Sequence, residues 1–153
     1  MPSPPTLSAI VFAQETAFDL DEIIALYRDS TLGARRPIDD RAIVADMYAH
    51  ANLIITARHN GALVGVSRSL TDFSYVAYLS DLAVHVDYQR IGIGEELMRQ
   101  TQARMGPRSS IVLLAAPAAT EYYPKVGFTK ADSAWVAKAA DTIGKIGQPG
   151  HAP

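Results

Sequence analysis

The 153-residue sequence contains no cysteine, which excludes disulfides, zinc–thiolate centres and any route through an acyl-cysteine. It has no apolar run of membrane-spanning length, and Met1 to Thr6 carries no basic-then-apolar secretory pattern, so a cytoplasmic protein is expected. Neither sign of charge dominates. Lys and Arg total 14 against 16 Asp and Glu, a net charge of −2, which argues against a general nucleic-acid or anionic-membrane binder. The four histidines, His50, His59, His85 and His151, share no spacing with carboxylates, and no metal site is expected. What the chain does hold is core-forming material: 48% hydrophobic and 20% charged residues suit a soluble globular protein, and the length suits one domain.

The hydrophobic pattern divides that domain. Met1 to Thr6, rich in proline, is a frayed lead-in, the folded region is expected over 7–140, and 141–153, with its glycines and prolines, reads as a tail. Leu7 to Phe12 reads as a first strand. Asp19 to Tyr27 reads as a helix with Ile23, Ile24, Leu26 and Tyr27 buried, and a second helix spans Asp39 to His50 with Ile43, Val44 and Met47 inward. Leu53–His59 and Ala62–Leu70 are strands about Asn60-Gly61, a strong hairpin signal. Tyr78 to Val86 is the central strand, Ile111 to Ala115 a short buried one, and Gly127–Thr129 and Trp135–Ala137 are expected to close the sheet.

Everything turns on the stretch from Asp81 to Gly94. After the central strand the apolar period changes: Ile93, Leu97, Met98 and Met105 fall on one helical face. Strand, glycine-bearing turn and helix follow in immediate succession. The first amides of a helix have no intrahelical partner, and its dipole favours an anion there. Gly92 and Gly94 keep bulky side chains away from those amides, and Arg90 adds a phosphate-matching guanidinium. The turn alone is either an anion cradle or an ordinary helix start. It lacks the third glycine of the dinucleotide fingerprint and the Lys-Ser or Lys-Thr of a Walker loop.

Gln89-x-x-Gly92-x-Gly94 resembles the Gln/Arg-x-x-Gly-x-Gly/Ala signature of the GNAT N-acyltransferase superfamily. Ala119-Thr120-Glu121-Tyr122-Tyr123-Pro124-Lys125-Val126-Gly127-Phe128 is similar to that family's second motif, Ala-x-x-Phe/Tyr-Tyr-x-x-x-Gly-Phe. The resemblance covers Leu53 to Lys138 well and the first fifty residues in outline. It implies an α+β single-domain fold, a mixed and mostly antiparallel central sheet flanked by helices and splayed at the cofactor site. It also implies an enzyme that moves acetyl from acetyl-coenzyme A to a primary amine of a small molecule or peptide. The alternative is a coenzyme A-binding sensor or interaction module without turnover. The partners are then acetyl-coenzyme A and an amine acceptor, with neither nucleic acid nor membrane among them, and a homodimer is left open.

By the same resemblance, the turn Gln89, Arg90, Ile91, Gly92, Ile93 and Gly94 holds the pyrophosphate. Leu82, Ala83 and Val84, core residues on their own pattern, additionally offer backbone groups to the pantetheine arm, with the Val84 N–H near the thioester oxygen. Tyr123, by itself a packing residue, becomes the general acid beside the cofactor sulfur. Ala116 stands where many members carry asparagine, so one cofactor contact is missing or supplied by water. For the general base Asp81 leads, against a structural carboxylate or a water chain. Arg35 and Arg36 fall in the connector that borders the acceptor mouth in such a fold, as a clamp for an anionic group or as solvated loop charges.

Overall fold

Two helices begin where an aspartate caps them. Asp19 accepts from the Asp21 N–H and starts α1 (Leu20–Asp29), and Asp40 accepts from the N–H groups of Ala42 and Ile43 and starts α2 (Arg41–His50). Such caps typically stabilise a helix by about 1 kcal/mol. Between them the connector makes one 3-10 turn over Leu32–Arg35. The strands are β1 (Val11–Gln14), β2 (Leu53–His59), β3 (Ala62–Thr71), β4 (Val76–Val84) and β5 (Ser110–Val112), with α3 (Ile93–Ala103) between the last two and α4 (Tyr122–Lys125) after them. These elements come from a computed structural model that describes residues 3–144. The chain divides into two compact units, Met1–Leu114 and Ala115–Pro153.

The first unit holds the sheet, in the order β1-β2-β3-β4-β5. The first three pairings are antiparallel and β4–β5 is parallel. Asn60 and Gly61, with φ of 50° and 85°, make the β2–β3 turn as their sequence implies. The middle strands β2 and β3 are buried from both sides because helices cover both faces. On one face Ile23, Leu26 and Tyr27 of α1 and Val44 and Tyr48 of α2 pack on Ile54, Leu63, Val66 and Ala83. On the other, Ile93 and Leu97 of α3 pack on Leu53, Ile55, Ala57 and Val64.

Some expectations change. Ile43 is 44% exposed, and the buried residues of α2 are Val44 and, one turn on, Tyr48. The first strand starts at Val11, after a 3-10 turn over Leu7–Ala9. In the second unit, neither Gly127–Thr129 nor Trp135–Ala137 forms a strand. The N–H groups of Val126 and Phe128 both donate to the Tyr123 carbonyl, at 3.1 and 3.0 Å, with Gly127 at φ 100°. Gly-Phe therefore serves to terminate α4. Trp135 is 93% exposed, unlike a residue of a closing strand. The expected tail beyond Gly144, like Met1 and Pro2, lies outside the described residues.

Candidate active site

The splay of the sheet is a difference in strand length. β5 pairs with β4 only through Val76–Ser110, Ala77–Ile111 and Tyr78–Val112, and β4 continues to Val84. From Leu79 to Val84 its outer edge has no strand partner among the described residues. The ladder with β3 shows which backbone groups face that edge. Val84 stands opposite Gly65, and the next amide, His85 N–H, donates to the Val64 carbonyl at 2.8 Å. Val84 and Gly65 are thus a non-hydrogen-bonded pair, so the Val84 N–H and C=O point away from β3. The two-residue repeat gives Leu82, opposite Ser67, the same orientation. Two amide donors lie along the open edge, and the side chains between them anchor the strand: Ala83 in the α1–α2 core and Leu82 and Val84 against the α3 core.

The turn that follows is tied to this edge. The Gln89 side-chain amide donates to the Val84 carbonyl at 3.0 Å, and Ile91 and Ile93 pack into the α3 core. Arg90 and Gly92 take left-handed conformations, φ 67° and 99°. Gly92 is the N-cap of α3, and no side chain caps that helix. The Glu96 N–H reaches the Gly92 carbonyl at 3.0 Å, which leaves the amides of Ile93, Gly94 and Glu95 as the free donors of the first turn. The acids of this turn are held by Arg99, which bonds Glu95 at 2.8 Å and also Glu96. Arg90 is exposed and makes no ion pair among the described residues.

Asp81 occupies a different setting from that of a base. It is 1% exposed. Its Oδ2 accepts from Arg68 Nε and Tyr27 O–H, both at 2.6 Å, and its Oδ1 from Arg36 Nε at 2.6 Å. Burial alone would push this carboxyl up. The Arg68 guanidinium, through its hydrogen bond and its charge, then Tyr27 and Arg36, outweigh that and hold it below the ordinary carboxylate range. A carboxylate held this firmly as an anion, with both oxygens engaged, is a weak proton acceptor, which favours the structural reading of Asp81 over the base. Tyr48 extends the network to Tyr27 at 2.7 Å, and Arg68 lies over the Tyr48 ring, 5.9 Å from its centroid.

Arg36 is corrected by the same geometry: it is no solvated loop charge. Besides Asp81 it donates to the Ser80 carbonyl at 2.7 Å. As polar partners, Arg68, Tyr27 and Tyr48 lie outside both sequence motifs. One signal for them existed: an arginine inside the apolar stretch Leu63–Leu70 needs a buried counter-charge.

Tyr123 lies in the second unit, on α4. Its ring meets Tyr122 and Phe128 edge-on, at 5.3 and 5.5 Å between centroids. Burial, then the neighbouring Tyr122, push its phenol above the ordinary value.

Residues 33–141 match the family model described as an acetyltransferase (GNAT) domain. An uncharacterized N-acetyltransferase, ycf52, of Porphyra purpurea is 32% identical over 108 residues, which span 67% of this chain and 60% of the relative. Among solved structures, a provisionally named acetyltransferase from Deinococcus radiodurans R1 superposes with a TM-score of 0.71 at 18% identity, covering 88% of this chain and 92% of the other. The aminoglycoside N-acetyltransferase AAC(6')-Iy, solved with CoA, gives 0.65 at 16% identity, over 86% and 95%. At these identities the structures speak for the fold alone. The family match covers most of the chain, and the protein belongs to the GNAT acetyltransferase domain family.

Proposed function

We propose that this chain transfers an acetyl group from acetyl-coenzyme A directly to a primary amine of a small molecule or peptide, within a ternary complex. The observation that carries the reading is the continuity of an unpaired strand edge with an uncapped helix N-terminus. The amides of Ile93, Gly94 and Glu95 match the pyrophosphate, and Arg90 stands beside them. The open edge at Leu82 and Val84 suits the amide-bearing pantetheine arm, which can pair with it as an added strand. The Val84 N–H is then the donor for the thioester oxygen, which becomes anionic as the amine attacks. One such donor is worth about 3 kcal/mol.

Attack forms the C–N bond, and collapse of that adduct restores the carbonyl and breaks the C–S bond. Tyr123 delivers its proton to the departing sulfur. The acceptor enters as an ammonium, and neutralising an amine of pKa about 10.4 at neutral pH costs about 4–5 kcal/mol. With Asp81 committed to its arginines, water is assigned that proton.

The test is release of free thiol from acetyl-coenzyme A against a panel of amines, amino acids and peptides. Acceptor-dependent release is expected. Binding of coenzyme A without release from any acceptor would move the chain to the class of sensor modules.

The phosphate seat makes its own prediction. At φ 99° a β-branched side chain on Gly92 strains the turn by about 1–2 kcal/mol and shields the amides. Gly92→Val is expected to weaken coenzyme A binding about tenfold or more, while the protein remains folded. Calorimetric titration beside a thermal melt checks both halves, and unchanged affinity in a folded variant removes the phosphate assignment.

A further inference from the structure

The bulge in β4 has a specific location and a specific support. Along β3, Arg68 faces Asp81 and the next residue, Ser69, faces Leu79, so Ser80 is an extra residue without a partner in the ladder. Where that extra residue sits decides which amides beyond it face β3 and which face the open edge, because a slip of one residue reverses every direction. Two arginines hold it. Arg68, from the neighbouring strand, donates to the Ser80 hydroxyl at 2.9 Å and to Asp81 at 2.6 Å. Arg36, from the connector between α1 and α2, donates to the Ser80 carbonyl at 2.7 Å and to the other Asp81 oxygen at 2.6 Å.

We infer that Arg36 is a positioning residue: by bridging the Ser80 carbonyl and Asp81, it fixes the bulge and thereby the aim of the Leu82 and Val84 amides along the open edge. The inference rests on the transferase reading for its catalytic consequence, though not for its structural one. Arg68 belongs to the sheet itself, and its guanidinium is fixed from the opposite side by the Met47 carbonyl at 3.2 Å. Arg36 comes from a separate element, and its third bond, to the Arg35 carbonyl at 2.9 Å, locks the guanidinium to its own connector. The acceptor-side connector and the donor-bearing strand are therefore joined through one side chain. Lysine cannot replace it, since one ammonium cannot span the carbonyl and the carboxylate in the planar geometry of a guanidinium.

The consequence falls on the transition state more than on binding. The pyrophosphate seat on α3 is built without Arg36, whereas misaim of an oxyanion donor by about 1 Å costs about 10²-fold in rate. Arg36→Ala is expected to lower kcat about 10–100-fold with coenzyme A affinity little changed. Guanidinium added at non-denaturing concentration should restore part of the rate to Arg36→Ala and none to Arg36→Lys. Arg58→Ala is the control for general loss of stability, because Arg58 pairs with Glu15 and Glu22 away from the bulge.

Hydrogen exchange at residues 79–85, measured in the free proteins, should quicken in Arg36→Ala and not in Arg58→Ala. A wild-type kcat in Arg36→Ala, a loss matched by Arg58→Ala, or rescue absent at every guanidinium concentration would each overturn the inference. If the wild type releases no thiol with any amine, the transferase reading fails by itself. Exchange then decides on Arg36: unaltered protection at 79–85 refutes the positioning role, and faster exchange there sustains it.

Discussion

Tyr123→Phe is expected to lower turnover about 10²–10⁴-fold, the span of a lost general acid, with coenzyme A affinity and melting temperature nearly unchanged. Phenylalanine keeps the ring that packs edge-on against Tyr122 and Phe128 and removes only the hydroxyl. Burial and then Tyr122 raise this phenol above its ordinary value of 10.0, so at neutral pH it carries the proton it would give. Raised above its ordinary value, it is a weaker acid than the thiol it would protonate. Transfer to a free thiolate is uphill, and it must accompany C–S cleavage, while the sulfur is still gaining charge. The alkaline limb of the kcat profile should accordingly lie above pH 10, where the phenol begins to lose its proton. Single-turnover measurement isolates the chemical step. A Phe variant at the wild-type rate under those conditions would give the proton donation to water.

Asp81→Asn is expected to be the most damaging isosteric change to stability, about 3–5 kcal/mol out of the roughly 5–15 kcal/mol of a typical domain. The variant leaves Arg68 and Arg36 without their shared counter-charge and turns an amide N–H₂ toward their donors. The pH dependence has a definite sign. The folded carboxyl titrates below its ordinary value of 3.8, so its stabilisation is fully present above that value. It is lost as pH falls through the folded pKa. Urea denaturation should therefore show a large gap between wild type and Asp81→Asn at neutral pH, narrowing only in strong acid. A gap under about 1 kcal/mol at neutral pH would mean that the buried arginines find other partners at little cost.

Local chemistry was legible in the sequence and distant chemistry was not. A helix starting near Asp19, Asn60-Gly61 as a hairpin and the change of period at Ile93 each concern groups within one turn of the chain, and each takes its expected form. The α+β layering and the family followed from two motifs. The Asp81 network, by contrast, joins residues 54, 45 and 13 positions away, and no periodicity records which arginine meets which carboxylate. The place of the bulge is equally absent from the periodicity: Ser80 looks like any residue of an alternating strand until β3 sets the register. The expected closing strands show the limit of apolar composition, since Gly127 and Phe128 are used to end a helix.

The short reach of β5 has a consequence outside catalysis. A strand edge with unpaired amides takes any extended chain, and what suits a pantetheine arm suits the backbone of another molecule as well. Natural sheets guard such edges with charge or proline, and Leu82-Ala83-Val84 offers neither. The stretch proposed to seat a cosubstrate is, when vacant, an edge without those guards, as is Val11–Gln14 at the other side of the sheet. An edge so occupied would be a closed one, and on the proposed reading the cosubstrate would also keep the sheet to itself.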